Sequence, residues 1–104
     1  MDPVQSTSEV IARLHRVRDD VSALGVSRLS LFGSMRRGEA LPSSDLDFLV
    51  DFAPGAKRLA HLLALGDLLE ATLGRPVDLV TRQALSPYIG PHITAEALDV
   101  LDAA

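Results

Sequence analysis

Residues 31–51, LFGSMRRGEALPSSDLDFLVD, constrain this chain more than any other stretch. An apolar run from Leu29 to Phe32 stops at Gly33-Ser34. A second run, Leu46 to Val50, opens on Asp45 and Asp47, eleven residues past Ser34. Both runs have strand character. Gly33 allows close backbone approach and unusual φ. Ser34 supplies a hydroxyl and can start a short helix through Met35-Arg36-Arg37, whose first N–H groups would suit an anion. Arg36 and Arg37 add positive charge beside it, and Gly38 lets that turn end. In a strand, residues i and i+2 share a face, with Cα atoms roughly 6.6 Å apart. Asp45 and Asp47 can therefore converge on two divalent cations about 3.5–4 Å apart, the separation that in-line phosphoryl displacement uses. Mg²⁺ takes oxygen ligands, a few carboxylates plus water and phosphate. The pattern describes a site for a nucleoside triphosphate held with Mg²⁺, and hence nucleotidyl transfer.

Such chemistry also needs a base near the attacking hydroxyl. Asp78, in Val77-Asp78-Leu79-Val80-Thr81, is a lone acid in an apolar run, which points to a site or an edge. Three carboxylates on neighbouring strands would repel one another. Two Mg²⁺ ions would turn a local −3 into about +1, ready for a polyphosphate. Taken singly, each feature has a plainer meaning. Gly-Ser is a common turn, Asp-x-Asp is common turn chemistry, and arginines in loops are usually solvated. Their order and register together carry the reading.

The combination resembles the nucleotidyltransferase superfamily that includes DNA polymerase β: Gly-Ser, about ten residues, Asp-x-Asp, then a distant third Asp on a strand. The chain is similar above all to the minimal nucleotidyltransferase (MNT) antitoxins paired with HEPN-domain toxins. FGSMRRGEALPSSDLDFLVDF, LGRPVDLVTRQALSP and ITAEALDV carry that likeness, which spans nearly the whole chain. Arg36 departs from it where the group often has a small residue, and Ser43 where an acid is common. The resemblance implies an α/β fold, a small mixed sheet flanked by helices. It implies that Gly33 and Ser34 contact the triphosphate, that Asp45 and Asp47 ligate both metals, and that Asp78 ligates the catalytic one. It further implies transfer of AMP from ATP to a tyrosine of a HEPN-type toxin, with two Mg²⁺ ions.

Length and composition narrow the field. At 104 residues the chain reads as one domain, 1–104, with 47% hydrophobic residues to build a core. Mean hydropathy is +0.21, high for so small a soluble protein, and hints at surface buried against a partner, either the toxin or a second copy. There is no cysteine, so no disulfide and no thiolate zinc site. His15, His61 and His92 are scattered. No signal peptide and no membrane-length apolar run is evident, so a cytoplasmic protein is expected. A net charge of −4 with three Phe and one Tyr argues against direct nucleic-acid binding, and no sequence is left over for a polymerase's template-holding domains.

Along the chain, Ser6-x-x-Glu9 reads as a capping box. Val10, Ile11, Leu14, Val17, Val21 and Leu24 then recur at helical spacing up to Gly25. Strands are expected at Arg28–Phe32, Asp45–Phe52 and Val77–Thr81. A helix at about 57–73 closes on Gly74 and Pro76. A short helix is expected over 84–89, and a last one from Pro91 to about Leu101. The 57–73 helix carries apolar groups on more than one face, from deep burial against the sheet or from a partner on its second face.

The expected reaction is attack of an acceptor hydroxyl on the α-phosphate of an NTP. Asp78 would activate the acceptor, Asp45 and Asp47 would place the metals, and Gly33 and Ser34 with Arg37 would hold the departing phosphates. Two rivals stay open. One is a non-catalytic module that neutralises its partner by steric cover. The other is an enzyme for a small molecule such as an aminoglycoside, which would usually need a further domain.

Overall fold

The computed structural model describes residues 2–56 and 59–103. Its elements are α1 (Thr7–Arg16), α2 (Arg18–Ala23), β1 (Val26–Phe32), α3 (Gly33–Arg37), β2 (Leu46–Phe52), α4 (Leu59–Leu73), β3 (Val77–Thr81), a 3₁₀ turn (Arg82–Ala84), α5 (Gly90–Glu96) and β4 (Leu98–Asp102). The strands form one mixed sheet in the order β3-β2-β1-β4. β1 runs antiparallel to both neighbours, and β2 runs parallel to β3. A parallel pair needs a crossover, which α4 supplies.

Strand alternation sorts the side chains. Leu29 and Leu31 of β1 and Leu46, Phe48 and Val50 of β2 join Val10 and Leu14 of α1, Val21 of α2 and Leu65, Leu69 and Leu73 of α4 in one buried cluster. The opposite phase of β2 carries Asp47, Leu49 and Asp51. Leu49 is fully buried yet stands outside that cluster. Core and chemistry therefore occupy opposite faces of the same strands.

Several expected boundaries move. The first helix does not run unbroken to Leu24: Val17 leaves helical geometry (φ −112°, ψ 17°) and α2 starts after it, with Asp19 and Asp20 in its first turn. Acids favour a helix N-terminus, a signal that apolar spacing alone does not carry. No helix spans 84–89. A 3₁₀ turn ends at Ala84, and the Ser86 hydroxyl accepts the Ile89 N–H at 3.1 Å before α5 starts at Gly90. The last helix stops at Glu96, and Leu98–Asp102 pairs with β1 as a fourth strand. Ile93, Ala97 and Leu101 satisfy a helical spacing, but strand pairing at the free edge of β1 buries Val100 and Leu101, and tertiary context overrides local pattern. Lys57 and Arg58, expected to open α4, lie outside the described residues. α4 shows both anticipated faces: Leu65 and Leu69 are fully buried, while Leu59 and Leu63 are 73% and 62% exposed.

The polar face is pinned by charge. Asp51 accepts from Arg28 Nε at 2.9 Å and from Arg82 Nε at 2.8 Å, tying β1 and the 3₁₀ turn to β2. Arg28 also lies 3.6 Å from Asp99, which accepts from Ser30 Oγ at 2.7 Å. Burial opposes ionisation of Asp51, but the bonds to Arg82 and Arg28 outweigh it and hold the carboxyl below its usual 3.8. A depressed carboxyl stabilises the fold above the ordinary value and loses that effect as pH falls through the depressed one. Asp51→Asn is thus expected to lower the melting temperature at pH 7 by about 5 °C. The gap should close towards pH 2, and melts across that range check it. A constant gap would assign the loss to shape rather than charge.

Candidate active site

β1 ends at Phe32, directly opposite Asp47 of β2. Asp47 is in turn the register partner of Asp78 on β3. Three strands thus deliver Gly33, Asp47 and Asp78 to one end of the sheet. Gly33 has φ +79° and is buried, and a Cβ built on it would lie 2.1 Å from Asp47 Oδ2. The turn therefore presses its bare backbone against the carboxylate, which only glycine permits. Ser34 follows in α3, and Gly38, at φ +73°, closes it.

The acids differ in setting. Asp47 is half-buried, whereas Asp45 and Asp78 are exposed. Burial pushes the Asp47 carboxyl up, and the charges of Asp78 and Asp45 push it further, with a hydrogen bond to Asp78 adding to the effect; Arg37 pulls the other way. Asp47 and Asp78 are brought together, whereas Asp45, one residue before β2, acts on Asp47 through its charge. Among the described residues no three acids or histidines are gathered closely enough to hold a metal as they stand. Like charges that share a site hold one another apart. The donor set is all oxygen and the central acid is pushed towards its neutral form. Both facts fit a hard divalent cation, which would relieve the repulsion that raises Asp47.

Arg37 does not reach out alone. Its Nε donates to Glu39 at 3.1 Å and its Nη1 to Glu96 at 2.7 Å. Glu96 also accepts the Gly33 N–H at 3.0 Å, and its backbone carbonyl accepts from Arg36 Nε at 3.1 Å. The bonds to Arg37 and Gly33 hold the Glu96 carboxyl below its usual range. Sequence reasoning placed Glu96 within a helix and missed it, because 63 residues separate it from Gly33 and no local spacing links them.

Arg75 was missed as well. It is buried, and its guanidinium donates to the carbonyls of Val4 (2.8 Å), Leu41 (2.8 Å) and Ser44 (3.1 Å). It thereby fixes the loop that leads into Asp45 from a position three residues before Asp78. Its place between Gly74 and Pro76 is its one signal in the sequence. A hollow of about 320 Å³ is lined by residues 5–7, 35–38 and 40, and includes none of the three aspartates.

A mixed sheet with a glycine turn at the end of its central strand, facing acids on the next two, is the layout of a nucleotidyltransferase. Residues 14–100 match the nucleotidyltransferase domain family. The chain belongs to that family and, within it, to the minimal nucleotidyltransferases. A Methanocaldococcus jannaschii protein assigned as a protein adenylyltransferase is 44% identical over 77 residues, covering 74% of this chain and 82% of the relative. The protein adenylyltransferase MntA of Thermococcus cleftensis is 41% identical over 76 residues, covering 73% and 76%. A solved structure assigned as a minimal nucleotidyltransferase superposes with a TM-score of 0.69 at 36% identity, covering 85% of this chain and 93% of that one. Two further structures share the fold. One, a toxin-antitoxin with AMP-PNP, has TM-score 0.67 at 23% identity over 92% and 73%. The other, a complex of a tri-AMPylated Shewanella oneidensis HEPN toxin with its MNT antitoxin, has TM-score 0.54 at 18% identity over 85% and 71%. No helix of the described residues is long and apolar enough to cross a membrane.

Proposed function

We propose that this nucleotidyltransferase is a single-domain, cytoplasmic antitoxin that transfers AMP from ATP to a tyrosine hydroxyl of a HEPN-type toxin. The observation that carries the reading is the Asp47–Asp78 pair, held in register on parallel strands, with Asp47 set against the backbone of Gly33. The relatives named as protein adenylyltransferases, and the AMPylated toxin held by an antitoxin of like fold, support the acceptor and the partner.

Asp45, Asp47 and Asp78 would hold Mg²⁺, which when bound supplies charge neutralisation at the reacting phosphate and lowers the pKa of the acceptor hydroxyl. Gly33 offers its backbone, and Ser34 and Arg37 offer a hydroxyl and a guanidinium, to the outgoing phosphates. Asp78, exposed at the sheet edge, is the acid that an incoming acceptor meets, and it takes the hydroxyl proton. Asp47, half-buried against Gly33, would place the metal ions together with Asp45. The acceptor comes from outside the chain.

Exposed Leu59 and Leu63 on α4 favour a second reading, neutralisation by cover. Intact-mass analysis of the toxin after incubation with ATP and Mg²⁺ separates the two. Transfer predicts a gain of whole adenylyl groups, lost in Asp78→Asn together with neutralisation, while that variant still binds the toxin. Cover predicts no mass gain, full neutralisation by Asp78→Asn and failure of Leu63→Asp.

A further inference from the structure

The Gly33 N–H and the Arg37 guanidinium are the groups the proposed function gives to the nucleotide's phosphates, and one carboxylate already holds both. Glu96 Oε2 accepts from Gly33 at 3.0 Å and Oε1 accepts from Arg37 at 2.7 Å. A carboxylate and a phosphate make the same demand on an N–H and a guanidinium. Two anions cannot share that place at ordinary cost. The topology explains how the acid arrives. β3 and β4 lie on opposite edges of the sheet, so the segment that joins them crosses it, and its last helical residue, Glu96, reaches the end of β1.

We propose that Glu96 is a further residue of the nucleotide site, an internal anion that fills the phosphate position in the free protein and is displaced when nucleotide enters. This rests on the phosphate role assigned above to Gly33 and Arg37. The side chain has a way out, being 25% exposed. The Glu96 carbonyl stays tethered to Arg36, and Arg37 keeps its second carboxylate, Glu39, as Glu96 leaves. Only one salt bridge and one backbone bond are exchanged for phosphate contacts. Glu96 thereby sets nucleotide affinity by the fraction of protein in which it has swung clear, since apparent affinity scales with the competent fraction. It also keeps the Gly33 turn satisfied between turnovers, when an unpaired buried N–H would be costly.

The test uses the full chain with two probes, ATP and inorganic tripolyphosphate, each with Mg²⁺. Glu96→Gln keeps size and an acceptor oxygen but removes the charge. It is expected to bind both probes about tenfold tighter, with the ATP KM lowered in proportion. In the wild-type protein, the ¹³C signal of the Glu96 carboxyl should move to a solvent-exposed value as tripolyphosphate saturates. That readout stands even if the variant folds poorly. Equal or weaker binding by a folded Glu96→Gln protein overturns the proposal, as does a Glu96 carboxyl signal that stays put at saturation. A wild-type protein that binds ATP but not tripolyphosphate, or neither, removes the phosphate role of Gly33 and Arg37 itself. Binding of both probes with no gain in Glu96→Gln leaves that role standing and removes only the displacement.

Discussion

Asp47→Asn is expected to melt higher than the wild type at neutral pH and to transfer no nucleotide. Both halves follow from its position. Burial and the charges of Asp78 and Asp45 raise the Asp47 carboxyl above its ordinary 3.8. The folded state therefore holds that proton to higher pH than the unfolded state does. A raised acid costs stability as pH climbs from the ordinary value through the raised one, and the cost is complete above it. Asparagine removes the cost. The melting temperature of the metal-free protein should rise by a few degrees at pH 7–8, with the difference vanishing well below the ordinary 3.8, where the carboxyl is neutral in the folded and unfolded states alike. Transfer should fall by about 10³-fold or more, the scale of losing a group that fixes charge at a reacting phosphate. ATP with Mg²⁺ should raise the wild-type melting temperature by linkage and leave the variant's unchanged. A variant that melts lower at every pH, or that still responds to nucleotide, would count against Asp47 as the central acid.

Gly33→Ala should be the most damaging single methyl group in the chain. Its Cβ would come within 2.1 Å of Asp47 Oδ2, at a φ of +79° that L-residues resist. The backbone strain alone costs about 1–2 kcal/mol, and the clash has to be relieved by moving the carboxylate on which the site is centred. A fall in melting temperature of roughly 5–10 °C is expected, with nucleotide use lost even where the protein stays folded. Valine at this position should be worse. Gly38→Ala is the matched control: its φ is similarly positive, +73°, but an added Cβ meets nothing within 4 Å. It should pay only the backbone strain and keep its activity. Equal loss of nucleotide use in the two variants would mean that Gly33 serves the turn and not the site.

The part of this architecture that could be read from sequence is the part built locally. β2 and β3, the Gly33 turn, α3 with its Gly38 cap and the end of α4 are each specified by adjacent residues. Asp47 and Asp78 stood out as acids inside apolar strand runs and are register partners, whereas Asp45, expected on the same strand as Asp47, falls one residue before β2. What escaped was made by distant pairing. β4 reads as a helix continuation until the free edge of β1 is known to need a partner. Glu96 and Arg75 contribute through contacts across tens of residues, and neither sits in a spacing that announces it. Val17 breaks the first helix without any glycine or proline to mark the place.

Arg75 has a consequence for how this protein can change over time. One guanidinium grips the loop entering β2 while its own backbone leads into β3, and the Leu46 N–H donates to the Pro76 carbonyl at 2.9 Å beside it. The two strand starts are thus welded at the end where Asp47 and Asp78 stand opposed. A single inserted or deleted residue between Leu73 and Val77 would slip β3 by one place and turn Asp78 into the apolar core. Drift in chain length is therefore closed to lineages of this protein at the Arg75 joint.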